Sequence, residues 1–158
     1  MAQTTAGIVQ SGFVIEVSAA GSVWTQIGGQ AASVKVSGGE SQVGQQLTAD
    51  GEYAIVTAGH KVEPMRVNVR CLYTATVTEA WALVWAQFIS TEKSIYVRWT
   101  PKGATASNLR YATSNDGANR SAGRITKCLP PEQDASSGDP ALFEFEVITP
   151  ALFEDAYS

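Results

Sequence analysis

Along residues 65–77 apolar and polar positions alternate with a period of two. Met65, Val67, Val69, Cys71, Tyr73, Ala75 and Val77 fall on one side, and Arg66, Asn68, Arg70, Leu72, Thr74 and Thr76 on the other. That is the pattern of a half-buried strand. The period then lengthens. Thr76-Val77-Thr78-Glu79 matches a capping box, and Trp81, Val84, Trp85 and Phe88 follow at helical spacing, which predicts a helix over 78–90 with one aromatic face. Ile95, Val97 and Trp99 open a new alternation that stops at Pro101-Lys102-Gly103. A helix this aromatic needs an apolar surface to cover, and the flanking strands supply one. Trp81, Trp85 and Phe88 are therefore expected to clamp the helix to a β-structure.

The rest of the chain reads mostly as short strands between Gly and Pro turns. Phe13, Ile15 and Val17 alternate in a first strand, Val23–Ile27 makes a second, and Ala32–Ser37 a third that ends at Gly38-Gly39. The span 40–63 is rich in Gln, Gly and Thr, carries the turn signal Asp50-Gly51 and one β-prone piece at Tyr53–Thr57, and is expected as a long loop or a projecting hairpin. Asn108–Thr113 and Arg124–Cys128 flank Ser114-Asn115-Asp116-Gly117-Ala118 and read as a hairpin. Leu142–Thr149 is a final strand with Phe143, Phe145 and Val147 on one face. Ala141-Leu142-Phe143-Glu144 recurs as Ala151-Leu152-Phe153-Glu154, which is read as coincidence. The expectation is a single domain over 1–158, mainly β, with antiparallel sheets in a sandwich or barrel-like arrangement and one flanking helix; residues 1–7 are expected to be flexible.

Composition narrows the partners. Only 16% of residues are charged, against about 25% in an average domain, which fits a chain that hides surface in an assembly. A net charge of −4 argues against a general nucleic-acid binder. The charges are also sorted along the chain: Lys93–Lys127 holds seven basic residues and one acid, Asp116, whereas 128–158 holds seven acids and no base. A solvated face explains either block alone; opposite signs also suit copies that stack on one another. No apolar run approaches the roughly 18 residues of a membrane span, and the first residues lack the pattern of a signal peptide. Cys71 and Cys128 are accordingly expected as buried free thiols, a disulfide requiring that their strands be neighbours.

Candidate chemistry is sparse. His60, the single histidine, has no second histidine or cysteine cluster beside it in the sequence and is read as a surface residue. Gly28-Gly29 and Gly38-Gly39 precede no helix and are turn glycines rather than a phosphate loop. Glu132, Asp134 and Asp139 lack the ligand spacing of a calcium loop. Asn119-Arg120-Ser121 matches a glycosylation triplet, with no secretion signal to give it meaning. No catalytic, cofactor-binding or metal-binding residue is assigned, no cofactor is expected, and the chain is read as a non-enzyme.

The order of elements then carries the functional reading. Val34-Lys35-Val36-Ser37-Gly38-Gly39-Glu40 precedes the long span. The strand and the helix with Trp81-Ala82-Leu83-Val84-Trp85 come next, followed by Ser94–Trp99 and Pro101-Lys102-Gly103, with a final hairpin and an edge strand to close. From about Phe13 to Phe153 this order resembles the major tail tube protein of long-tailed bacteriophages, without the appended surface domain of some relatives. The resemblance implies a β-sandwich with a flanking helix, six copies closing into a ring, and rings stacked into a hollow tube in a virion tail assembled in the host cytoplasm. Its implied partners are other copies of itself, a tape-measure protein, and tail-tip or terminator proteins, with DNA passing through the lumen unspecifically and no membrane span. Two other readings remain. One is a monomeric binding module, carbohydrate-binding or adhesin-like, with Trp24, Tyr96, Trp99 and Tyr111 as an aromatic platform; the other is a head–tail joining or decoration protein of the virion.

Overall fold

The computed structural model describes Ile8, residues 12–113 and residues 122–156. The expected flexible segment 1–7, the turn at 114–118 and the triplet at 119–121 lie outside the described residues. In chain order the elements are β1 (Val14–Ser18), β2 (Thr25–Gln26), β3 (Ala31–Gly38), β4 (Ser41–Gln46), β5 (Ile55–Val62), β6 (Met65–Leu72), α1 (Ala80–Phe88), β7 (Ser94–Thr100), β8 (Leu109–Ala112), β9 (Gly123–Leu129), β10 (Leu142–Thr149) and β11 (Phe153–Ala156). The protein is mainly β, with antiparallel sheets, one short helix and no closed barrel.

Alternation sets the faces. Val67, Val69 and Cys71 of β6 and Phe143, Phe145 and Val147 of β10 are buried on one side, and their neighbours point outward. The two strands pair along their full length, Phe145 opposite Val69 and Val147 opposite Val67. Beyond them β3 joins β6 and β9 joins β10, giving the order β9-β10-β6-β3. A second run, β2-β1-β7-β8-β11, carries Ile15, Val17, Val97 and Trp99 into the same core.

Strand β7 belongs to both runs. One edge pairs with β1 from Tyr96 to Thr100. The other edge pairs at Ser94 and Ile95 with β9, and at Arg98 and Trp99 with β8. Between those two pairings Val97 has no strand partner on that edge, and Thr113 fills the gap. Its N–H donates to Val97 O at 2.9 Å, and its hydroxyl accepts the Val97 N–H at 3.0 Å. Thr149 donates in turn to Thr113 O at 3.3 Å. Both threonines are fully buried, so the hydroxyls satisfy backbone groups where the sheet divides. Gly123 starts β9 at the same junction, where an added Cβ would collide with the Val147 side chain.

Four expectations need correction. The hairpin read between 108–113 and 124–128 does not form, because β8 and β9 share the edge of β7 and pair with β11 and β10 instead. The strand at 142–149 is central rather than at the edge, and the chain instead closes on an edge strand, β11, which the alternation did not reveal. The strand from Met65 ends at Leu72 rather than Val77. The helix spans Ala80–Phe88 rather than 78–90, and no capping box closes it. Glu79 is the N-cap but makes no side-chain cap bond; its carboxylate accepts the Thr74 hydroxyl, and the Ala80 N–H donates to Gln30 Oε1 at 3.0 Å. A side chain fifty positions away has taken the capping role.

The buried face of α1 also differs from the aromatic stripe. Ala80 and Val84 are fully buried, while Trp81, Trp85 and Phe88 are only partly covered. Small residues let the helix approach the sheet, and the rings splay to its sides. Trp81 stacks on Trp85 with centroids 5.0 Å apart and meets Phe143 edge-on at 5.2 Å. The span 40–63 is a two-stranded ribbon, β4 with β5, hydrogen-bonded to no other strand. Gly38 and Gly39, at φ +78° and +73°, make the left-handed turn into it.

Thr113→Val keeps the shape and leaves the buried Val97 N–H without its acceptor. It should destabilise by about 1–3 kcal/mol in chemical denaturation, and an unchanged midpoint would mean that the junction does not need the hydroxyl. Phe145→Ala should cost about 3–5 kcal/mol. Trp85→Ala, at a half-covered position, should cost clearly less in the same experiment.

Candidate interaction surfaces

The outward face of β9-β10-β6-β3 is built by the alternate residues of four strands. Across it stand Lys35 of β3, Arg66, Asn68 and Arg70 of β6, Glu144 and Glu146 of β10, and Arg124, Thr126 and Lys127 of β9. This face holds five of the chain's eleven basic residues and two of its fifteen acidic ones, so it is three charges positive on a chain that is four negative. The two glutamates occupy the middle strand and are shared between neighbours. Arg66 Nη1 donates to Glu146 Oε1 at 2.9 Å, and the Thr126 hydroxyl donates to the same oxygen at 2.8 Å. Asn68 Nδ2 and Lys127 Nζ donate to Glu144 Oε1 at 2.7 and 3.2 Å. The Asn68 bond, with Lys127 second, holds the Glu144 carboxyl below its ordinary range.

The opposite-sign blocks of the sequence therefore meet inside one chain. Lys127 pairs with Glu144, and Arg110 grips Asp155 through two bonds of 2.9 and 2.6 Å that tie β11 to β8. Arg124 reaches Glu92 at 3.2 Å, and Arg98 reaches Glu16 at 2.6 Å across β1. Two pairs between the opposite-sign segments are thus formed by folding itself, and those four charges are engaged before any copy stacks on another.

The edges of this four-strand run are unlike. Among the described residues no strand pairs with the far side of β3 along its eight residues. On the far side of β9, strand pairing with β7 stops at Arg124, and Thr126–Leu129 run on without a strand partner there. The β4–β5 ribbon presents further unpartnered surface. Val43, Val56 and Ala58 share one of its faces, Ile55 lies on the other, and Leu47 and Tyr53 are exposed beside its turn.

Helix α1 carries no charged residue, and its outer side is apolar too. There Ala82, Leu83 and Ala86 face Ala19, Ala20 and Val23 of the β1–β2 connection across a groove of about 370 Å³, with Val77 at its mouth. Val23 and Val77 are 77% and 80% exposed. A helix apolar all round is normally covered all round.

The single-residue candidates scatter. His60 lies exposed on β5, away from either thiol. Cys71 and Cys128 are free and buried on strands flanking β10, opposite Phe143 and Phe145. Strands two apart are about 9–10 Å distant, too far for a disulfide. Burial pushes their thiols to about 12 and about 11. Asp134 bonds locally to Ser136, which lowers its pKa, and among the described residues no group of three or more His, Cys, Asp or Glu is placed to hold a metal. The four platform aromatics split between two faces of the sheet. Trp99 points inward beside Tyr111 at 5.9 Å, whereas Trp24 is covered by the Arg98 guanidinium at 3.9 Å on the outer side that Tyr96 shares. No common sugar platform forms.

No protein-family model and no curated protein matches the sequence. Solved structures do match over almost the whole chain. A chain from the sheath/tube terminator of an extracellular contractile injection system (PVC, extended state) is 16% identical, with 98% of this chain and 100% of that one covered and a TM-score of 0.66. One from the PVC sheath-tube complex is 15% identical, with 96% and 93% covered and a TM-score of 0.62. One from the tail of an empty GTA particle with C6 symmetry is 11% identical, with 99% and 100% covered and a TM-score of 0.62. At these identities the likeness is one of fold.

Glu144 is bound by partners that favour its charged form, so its contribution to stability is present above the ordinary carboxylate pKa and lost as pH falls through its lowered value. Glu144→Gln should therefore flatten the acid limb of the stability–pH curve, measured by thermal unfolding. An acid limb of unchanged slope would show that other carboxylates carry it.

Proposed function

We propose that this chain is a structural subunit of a tail-type tube: copies join side by side into six-membered rings, and rings stack around a lumen in a virion or virion-like particle. The observation that carries this reading is the pair of unlike open edges on one four-strand run. The strands β9, β10, β6 and β3 alternate in direction, so β3 of one copy runs opposite to β9 of the next. A neighbour can then be added without breaking the antiparallel order. Unlike edges make a head-to-tail contact, and where the rotation between copies closes, the resulting ring removes both edges together. The near-complete overlap with chains of tube and terminator assemblies, one of them in a tail of C6 symmetry, supports both the tube and the ring number.

Such a ring would turn the outer face of β9-β10-β6-β3 toward the lumen, because α1 and the second run of strands occupy its other side. That lining would be mildly basic, opposite to the sign the whole chain suggests. Its cations are already shared with Glu144 and Glu146, which weakens their hold on phosphates and favours passage of DNA without retention. A tape-measure protein inside the lumen and tip or terminator proteins at the ends are the remaining partners of this reading. A second reading, a terminator ring that caps a tube, is favoured by the TM-score of 0.66 and full coverage of the terminator chain.

Negative-stain imaging of the purified protein at rising concentration separates these. Long tubes are expected of a repeating subunit and single rings of a terminator, whereas a monomer at every concentration would overturn both. Chymotrypsin should cut at Tyr53, 81% exposed beside the ribbon turn, in the free chain and not in the assembled one. Equal cutting in both states would remove the ribbon from the interface.

A further inference from the structure

Two apolar surfaces of this chain have no partner among the described residues, a ribbon face and a groove. The β4–β5 ribbon is two-stranded, exposed on both faces at all but Gly59, and isolated from every other strand. An isolated two-stranded hairpin is marginal in water and needs a third element to pack on. One of its faces offers Val43, Val56 and Ala58, and between Gln42 and Ala58 its only charges are Asp50 and Glu52 near the turn. The groove between α1 and the β1–β2 connection is uncharged along its length and mostly apolar, with the small Ala82, Ala86, Ala19 and Ala20 set among Leu83, Val23 and Gln87. Its four alanines leave room for a ribbon's side chains, whereas the bulky rings of α1 are turned to its flanks. Neither surface meets the other within one chain.

We propose that the β4–β5 ribbon of one copy seats its Val43, Val56 and Ala58 face in the α1 groove of another copy. This rests on the tube reading above and gives it a second contact, distinct from the joining of β3 to β9. Apolar ribbon on apolar groove supplies association energy by area, while the strand edges supply register. The contact is again head-to-tail, since ribbon and groove are different parts of the chain.

Engineered thiols test it directly, because Cys71 and Cys128 are buried with raised pKa values and stay silent. Chains carrying Val56→Cys are mixed with chains carrying Ala86→Cys, assembled, oxidised and resolved on a non-reducing gel. A mixture of Val56→Cys with Thr126→Cys, on the polar outer face, is the control. Preferential crosslinking of 56 to 86 is expected. Rings or tubes that image normally but give no more 56–86 product than the control would overturn this contact and leave the tube reading standing. Absence of any assembly would overturn both. As a second measurement, Ala86→Lys places a charge at an exposed position, so the monomer should unfold at an unchanged temperature. Its burial on docking should raise the concentration needed for assembly by about tenfold or more. Val56→Glu on the same chain should restore part of that loss, and unaltered assembly of Ala86→Lys would place the ribbon elsewhere.

Discussion

The fold depends on one strand serving two sheets. Strand β7 must give its second edge first to β9 and then to β8, and any such division leaves a backbone position between the two partners. At Val97 both orphaned groups are taken by Thr113, whose N–H and hydroxyl replace a missing strand residue, with Thr149 behind it. A buried backbone N–H or C=O without a partner is costly in an apolar core, so the two threonines are what make the division tolerable. From that point the chain can set β1 and β8 on one side and β9, β10, β6 and β3 on the other, around a single apolar centre.

What could be read from residue order was what is local. The alternation of Val67, Val69 and Cys71 named the buried face of β6 correctly, as did Phe143, Phe145 and Val147 for β10. Pairing is not local, and there the reading failed. The Asp116-Gly117 signal joins β8 to β9 in sequence, yet both strands spend their hydrogen bonds on β7 and on strands arriving later. The capping box failed for the same reason, since Gln30 competes for the helix N-terminus from fifty residues away. Helical spacing placed Trp81, Trp85 and Phe88 on a common stripe, but it could not say that Ala80 and Val84 would set the distance of approach.

The candidate surfaces were less legible still. The 40–63 span announced itself by composition, and the structure resolves it into β4 and β5. The charge blocks, in contrast, gave no sign of the pairs the fold makes. Counting along the chain separates Lys127 from Glu144 and Arg110 from Asp155, whereas the sheet brings each pair into contact. The same register gathers Lys35, Arg66, Arg70, Arg124 and Lys127 from three strands onto one face, a concentration of positive charge that no window of sequence contains. Surface electrostatics in a β protein belong to the rows across strands and not to the runs along them.

The two open margins of the four-strand run, β3 and the end of β9, are not interchangeable. Self-complementary patches would pair copies face to face and cancel their orientations. Unlike margins cannot do so: every copy added through them points the same way along the common axis. A ring closed through these margins, as proposed above, would have two different rims, and rings stacked on one another in a single orientation would give the stack a front and a back. In the proposed tube, direction would then originate in the asymmetry of a single sheet.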